Sequence, residues 1–288
     1  MTIEVGGMIG AGVAAFIAGL ALVVPRLRAA CGPGKIIVLG PVFEAVALAI
    51  FSAEHFTAAR DLAPIVPRWL PGPLFWTYFF GAALLAAAIS FIVWRYVRWS
   101  ALLLALFFLL VVVTVSLPNL PANAHNRFSW ILTVRETAFG CGALVLAGSL
   151  WPRGSRTCAA LMGVGRTVVA LILIFYASQH FLYPRFVPGV PLEKPTPEWM
   201  PAPVLIAWFT GVVLLLGGVG LLIRSTTRIA SAACGLWLLI LTVAFYVPIL
   251  CVEFGTPLTV EGINYVGDTM LFAATVLLAG FAADQPAV

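Results

Sequence analysis

Two carboxylates, Glu136 and Asp268, lie inside otherwise apolar stretches 132 residues apart. An ionisable group within a membrane span is costly to desolvate, so each is a candidate proton or ligand site. At that depth a carboxyl is either protonated or paired with a cation. An arginine from an outer loop is the expected partner, because Arg135 points to a different helical face from Glu136. Two histidines, His55 and His180, sit at the ends of apolar stretches 125 residues apart, and each is followed five residues on by an arginine, Arg60 or Arg185. A helix C-terminus favours imidazolium, so these groups suit proton handling, and the guanidinium groups suit the orientation of polar atoms. Asn123 and His125 add to the first set alone. The competing reading makes the carboxylates structural ion pairs and leaves the histidines and arginines to loop carbonyls or lipid headgroups. Haem ligation by His55 and His180 is disfavoured, since it needs both imidazoles to converge.

Other chemistries find little support. Five cysteines provide no C-x-x-C pair, which argues against a dithiol centre. The chain has no P-loop, no H-E-x-x-H and no Gly-rich dinucleotide fingerprint, and no metal site is expected. The formal charge of +5 is dispersed over short loops, which excludes a nucleic-acid surface.

The elements that must position these residues are membrane spans. Hydrophobic residues make up 62% of the 288 positions and charged residues 9%, far from the soluble norm of about half and a quarter. Stretches of about 20 apolar residues cross a bilayer core. They predict nine spans: Ile3–Val24, Ile36–Phe56, Leu74–Trp94, Trp99–Leu117, Phe128–Leu150, Val168–Tyr183, Val204–Ile223, Ala230–Leu250 and Ile263–Ala283. The first is expected to be retained, because Glu4 stands where a secretory signal is basic. Glu44 lies deep in the second.

The chain also repeats itself. His55-Phe56 matches His180-Phe181 at an offset of 125, and Trp69-Leu70-Pro71-Gly72-Pro73 matches Trp199-Met200-Pro201-Ala202-Pro203 at 130. Gly81, Arg98 and Pro118 match Gly211, Arg228 and Pro248 at the same 130, and Glu136-Thr137 matches Asp268-Thr269 at 132. The offset slips only in outer loops, where insertions cost least. The expected fold is therefore an all-α polytopic membrane protein: an N-terminal helix and loop over 1–35, then four-helix units over 36–156 and 166–283. Each unit holds an even number of spans, so the repeats run parallel, most simply as two bundles side by side. Seven prolines between Tyr183 and Leu205 predict a stiff loop.

Ten arginines and lysines fall on one side and five on the other. The positive-inside rule then places the protein in the inner (cytoplasmic) membrane with the N-terminus outside and the C-terminus cytoplasmic.

His-Phe, a basic residue, Val-Pro and Trp-Leu-Pro-x-Pro before a Gly-bearing span resemble the DoxX-like membrane proteins, as does Pro121-Ala122-Asn123. The resemblance covers 36–150 well and 166–283 more weakly; Cys251-Val252-Glu253 replaces the Pro-Ala-Asn element in the second unit. It implies a tandem pair of four-helix units associated with redox chemistry, because the related DoxD subunit belongs to a thiosulfate:quinone oxidoreductase. The resulting expectation is a membrane subunit that binds a quinone or similar amphipathic molecule near the outer face, in the bilayer with other subunits of a complex. A small-solute transporter and a purely structural anchoring subunit are the alternatives.

Overall fold

The computed structural model describes residues 2–190 and 194–284. Among these, nine helices are long and apolar enough to cross a membrane: α1 (Ile3–Ala29), α2 (Gly34–Thr57), α3 (Pro73–Val93), α4 (Val97–Asn119), α5 (Arg127–Ser149), α6 (Arg156–Leu182), α7 (Pro203–Leu222), α8 (Thr227–Glu253) and α9 (Thr259–Ala283). No strand occurs among the described residues, and Phe186 and Pro195 form an isolated bridge. The protein is an all-α, polytopic chain with the dimensions of a multi-pass membrane protein. Residues 191–193 of the proline-rich loop lie outside the described residues.

Helix ends follow local chemistry. Thr2, Asn126 and Ser155 cap α1, α5 and α6 by accepting from the amides of Val5, Phe128 and Cys158, which satisfies donors that have no helical partner. The Ser155 cap corrects one boundary. Helix α6 starts at Arg156, about three turns before the expected Val168, because residues 157–165 are apolar enough to continue the span and no proline interrupts them. Arg166 is thus inside the helix, where its Nη1 donates to Thr227 Oγ1 at 3.2 Å.

The repeat is visible in fine detail. Residues Val112–Ser116 of α4 and Thr242–Tyr246 of α8 both widen into a π turn, 130 residues apart. Each wide turn precedes a proline, Pro118 or Pro248, whose ring would clash with the carbonyl four residues back in a regular helix. Helices α3 and α7 both start at a proline that follows a left-handed residue, Gly72 (φ 70°) or Ala202 (φ 46°). Alanine pays about 1–2 kcal/mol for that conformation and glycine does not. Ala202→Gly is therefore expected to stabilise the protein by about 1 kcal/mol, partly offset by unfolded-chain entropy. An unchanged or lower melting temperature in detergent would refute this.

The two four-helix units are not independent bundles. Within each, successive helices pack as neighbours, but the last helix leans on the other unit: α5 packs along α6, and α9 along α2. Equivalent glycines make both contacts. A Cβ built on Gly40 of α2 would lie 3.0 Å from Leu277 Cβ, and one on Gly165 of α6 would lie 2.8 Å from Val145 Cγ2. Likewise Gly148 faces Met162 and Gly280 faces Ile37. Close approach through small residues is how helices associate in lipid. Helices α5 and α9 meet at the pseudo-twofold axis, where Gly142 abuts Thr275. Helix α1 has no counterpart; Gly12 and Gly19 let it lie against Ile50 and Val42 of α2.

Short connections alternate the helix directions, so the bundle has two ends. One carries Arg26, Arg95, Arg153 and Arg228 and is called here the basic face; the other carries the histidines and is called the histidine face.

Candidate functional site

A cavity of about 320 Å³ opens within the first unit, towards the histidine face. Its walls come from α2, α3, α4 and α5, with Asp268 and Leu271 reaching in from α9 and Leu62, Ile65, Val66 and Pro67 of the 58–72 connection closing the top. Five phenylalanines, Phe51, Phe80, Phe107, Phe108 and Phe139, form most of the surface, and Phe80 and Phe107 stand 5.0 Å apart. A smaller apolar cavity of about 160 Å³ runs between α3 and α4 and shares Leu84 and Phe107 with the first.

One polar wall interrupts this aromatic lining. Arg135 Nη1 lies 2.5 Å from Asp268 Oδ2, an ion pair between α5 and α9 whose side chains are only 13% and 14% exposed. Beside it, Ser116 Oγ donates to Glu136 Oε2 at 2.5 Å. The π turn that ends at Ser116 belongs to the same α4 segment as Val115 of the cavity wall. His55 also lines the cavity. Its Nδ1 donates to the Phe51 carbonyl at 2.8 Å, since a carbonyl can only accept, so the Nε2 of a neutral ring is an acceptor with no protein partner among the described residues. A cation, two carboxyl groups and an imidazole acceptor thus border a largely apolar chamber. That set can orient a polar head, donate hydrogen bonds to its oxygens and exchange protons with it.

Among the described residues the matching positions of the second unit are filled, for physical reasons that can be named. Val115 and Ser116 are replaced by Phe245 and Tyr246, and the Tyr246 hydroxyl donates towards the carbonyls of Pro188 (3.0 Å) and Val190 (3.2 Å) of the long loop. Val187, Val190 and Met200 of that loop are themselves buried. Lys194 holds it down by pairing with Glu253 and lying 3.6 Å from Glu261. His180 is consumed in the same way: its Nδ1 donates to Tyr176 O at 2.7 Å and its Nε2 accepts from Gly189 N at 2.9 Å. The cleft between helices is closed too. Gly217 and Cys234 bring α7 and α8 together where α3 and α4 carry Ala87 and Leu104.

The two histidines should therefore respond differently. His180→Ala leaves the buried Gly189 amide unpaired and is expected to cost about 1–3 kcal/mol of stability. His55→Ala strands no amide and should cost less, with its effect falling on ligand binding. Equal losses of melting temperature in the two variants would contradict this assignment.

The other residues singled out from sequence scatter. Glu136, Asp268 and His55 share the cavity. Arg60 and Arg185 are exposed on the histidine face, and Arg185 stacks on Phe186 at 4.9 Å. Neither pairs with Glu136 or Asp268, so the expectation of a loop arginine is corrected: the cation is Arg135, from within a span. Asn123 donates to Asn119 O and finishes α4. His125 lines a separate shallow pocket with Gln179 and Tyr183. Sequence reading turned Arg135 away from Glu136, as the structure does, but did not match it with Asp268, and it passed over Ser116 and the phenylalanine walls. An arginine embedded in a span was itself a signal, by the same cost argument applied to Glu136. Glu44 is fully buried, and among the described residues neither of its oxygens has a protein partner; it lines none of these three cavities.

Residues 44–135 match the family described as a domain of unknown function, DUF8561. The matched stretch runs from Glu44 in α2 to Arg135 in α5 and so contains most of the cavity wall and its cation. No curated protein and no solved structure matches the chain.

Proposed function

We propose that this chain is a DoxX-like membrane subunit of a redox complex that binds a quinone, or a similar lipid-soluble molecule with a polar head, in the cavity of the first unit. One observation carries the reading: an aromatic chamber beside an interhelical cleft, lined also by Arg135, Glu136, Asp268 and His55. Its volume is at the lower end of ligand pockets, which run from about 300 to 1,000 Å³, and suits a single ring. Quinone carbonyls accept hydrogen bonds, which Arg135 supplies. Reduction takes up two protons, for which Glu136 and His55 are placed; the two electrons would come from a partner subunit, since the cysteines present are all unbridged single thiols. Under the positive-inside rule the site faces outward in the cytoplasmic membrane, with the N-terminus outside.

The test is purification in mild detergent, followed by solvent extraction and mass spectrometry. A co-purifying quinone supports the proposal. Lipid alone, together with no quenching of tryptophan emission by an added short-chain ubiquinone, would sink it.

A second reading rests on a different feature. The Arg135–Asp268 pair bridges the two units at the pseudo-twofold axis, where a transporter would change its packing. Uptake into liposomes that disappears in Glu136→Gln and Asp268→Asn would favour transport over quinone binding. If both tests are negative, a structural anchoring role remains.

A further inference from the structure

The basic face contains a second, chemically different cavity of about 710 Å³. Three arginines from distant parts of the chain line it: Arg26 in the last turn of α1, Arg153 in the α5–α6 connection and Arg228 in the first turn of α8. No carboxylate lines it among the described residues. Arg26 is built into this wall. Its guanidinium lies 3.8 Å from the centre of the Trp94 ring, and its two terminal nitrogens are shielded from solvent without a hydrogen-bond partner among the described residues. A stacked guanidinium is fixed in one plane, and two idle donors on one edge match the paired oxygens of a phosphate. The left-handed Trp94 (φ 56°) ends α3 and holds the ring there. All these residues lie at helix ends, the level at which lipid phosphates sit, and basic pockets between helices capture such headgroups.

We infer that this cavity is a phosphate-binding site in which Arg26 stacked on Trp94 and Arg153 grip a phosphodiester or phosphate anion. The lipid phosphatidylglycerol and inorganic phosphate share that chemistry. The site is independent of the quinone reading, because it lies at the opposite end of the bundle.

The full chain, stripped of lipid in a neutral detergent, is titrated with phosphatidylglycerol or phosphatidylcholine under native mass spectrometry, and with sodium phosphate or chloride in a melting assay. Wild type is expected to retain phosphatidylglycerol about tenfold or more over phosphatidylcholine, because the choline cation of the latter already neutralises its own phosphodiester and would be repelled by the arginines. Arg26→Gln/Arg153→Gln should lose that preference. Arg153→Gln alone, an exposed position that cannot disturb the core, should lose part of it, and Arg95→Gln, on the same face outside the cavity, should keep it. Stabilisation by phosphate without lipid preference would also support the site and would name the soluble anion as its source. The inference fails if neither ligand is preferred over its control, or if Arg95→Gln weakens binding as much as the cavity variants.

Discussion

Arg135→Ala is expected to destabilise the protein by about 3–5 kcal/mol, the usual cost of breaking a buried ion pair from one side. The pair sits between α5 and α9 with both side chains nearly covered, so the abandoned Asp268 carboxyl has little water to turn to. Asp268→Asn should be milder, since an amide oxygen still accepts from the guanidinium. The informative variant is the double replacement, Arg135→Met with Asp268→Leu. It removes both charges together and is expected to recover most of the loss, because apolar substitutes for a complete buried pair are often neutral. The measurement is a double-mutant cycle on melting in detergent, which isolates the coupling between the two positions. A single Arg135→Ala variant as stable as wild type would show that the pair contributes nothing, and would remove the strongest link between the two units.

That pair also marks the boundary of what the sequence could tell. Span number, the repeat and the matching of Glu136 with Asp268 are legible, because they depend on composition and order along the chain. The partner of Asp268 is not, because it depends on which helix lies opposite α9. A reading of two self-contained bundles turns Arg135 away from both carboxylates; the exchange of α5 and α9 between units turns it onto Asp268. Glycine positions held the clue, for Gly40 with Gly165 and Gly148 with Gly280 form two matched contacts, but glycine alone does not name the helix it faces. The start of α6 was hidden by Arg166, read as a loop residue, which the helix instead places against Thr227. Arg60 and Arg185 looked like site residues because they repeat, yet repetition records ancestry of the unit, and both ended on the exposed surface.

The same repetition makes the largest expected effect on binding testable without inventing a side chain. The second unit shows what fills the chamber: Phe245 and Tyr246 where the first has Val115 and Ser116. Grafting them, as Val115→Phe/Ser116→Tyr, places one aromatic ring at the cavity wall and a second beside Glu136, on a π turn that already carries both at the equivalent site. Phe245 packs nearly parallel to Trp199, 6.5 Å between ring centres, and Trp69 stands at the matching sequence position of the first unit. Overpacking a filled core costs about 1–3 kcal/mol, but here the added volume enters empty space, so the cost is that of the lost Ser116–Glu136 hydrogen bond, about 1–3 kcal/mol. Binding of a short-chain ubiquinone, read by tryptophan quenching, is expected to weaken by about a hundredfold, the loss of one well-packed ring's worth of contacts at about 2.7 kcal/mol. A graft that is stable and still binds as wild type would place the ligand outside this chamber. A graft that unfolds is answered by Val115→Phe alone, which leaves the Ser116–Glu136 hydrogen bond in place and still narrows the wall.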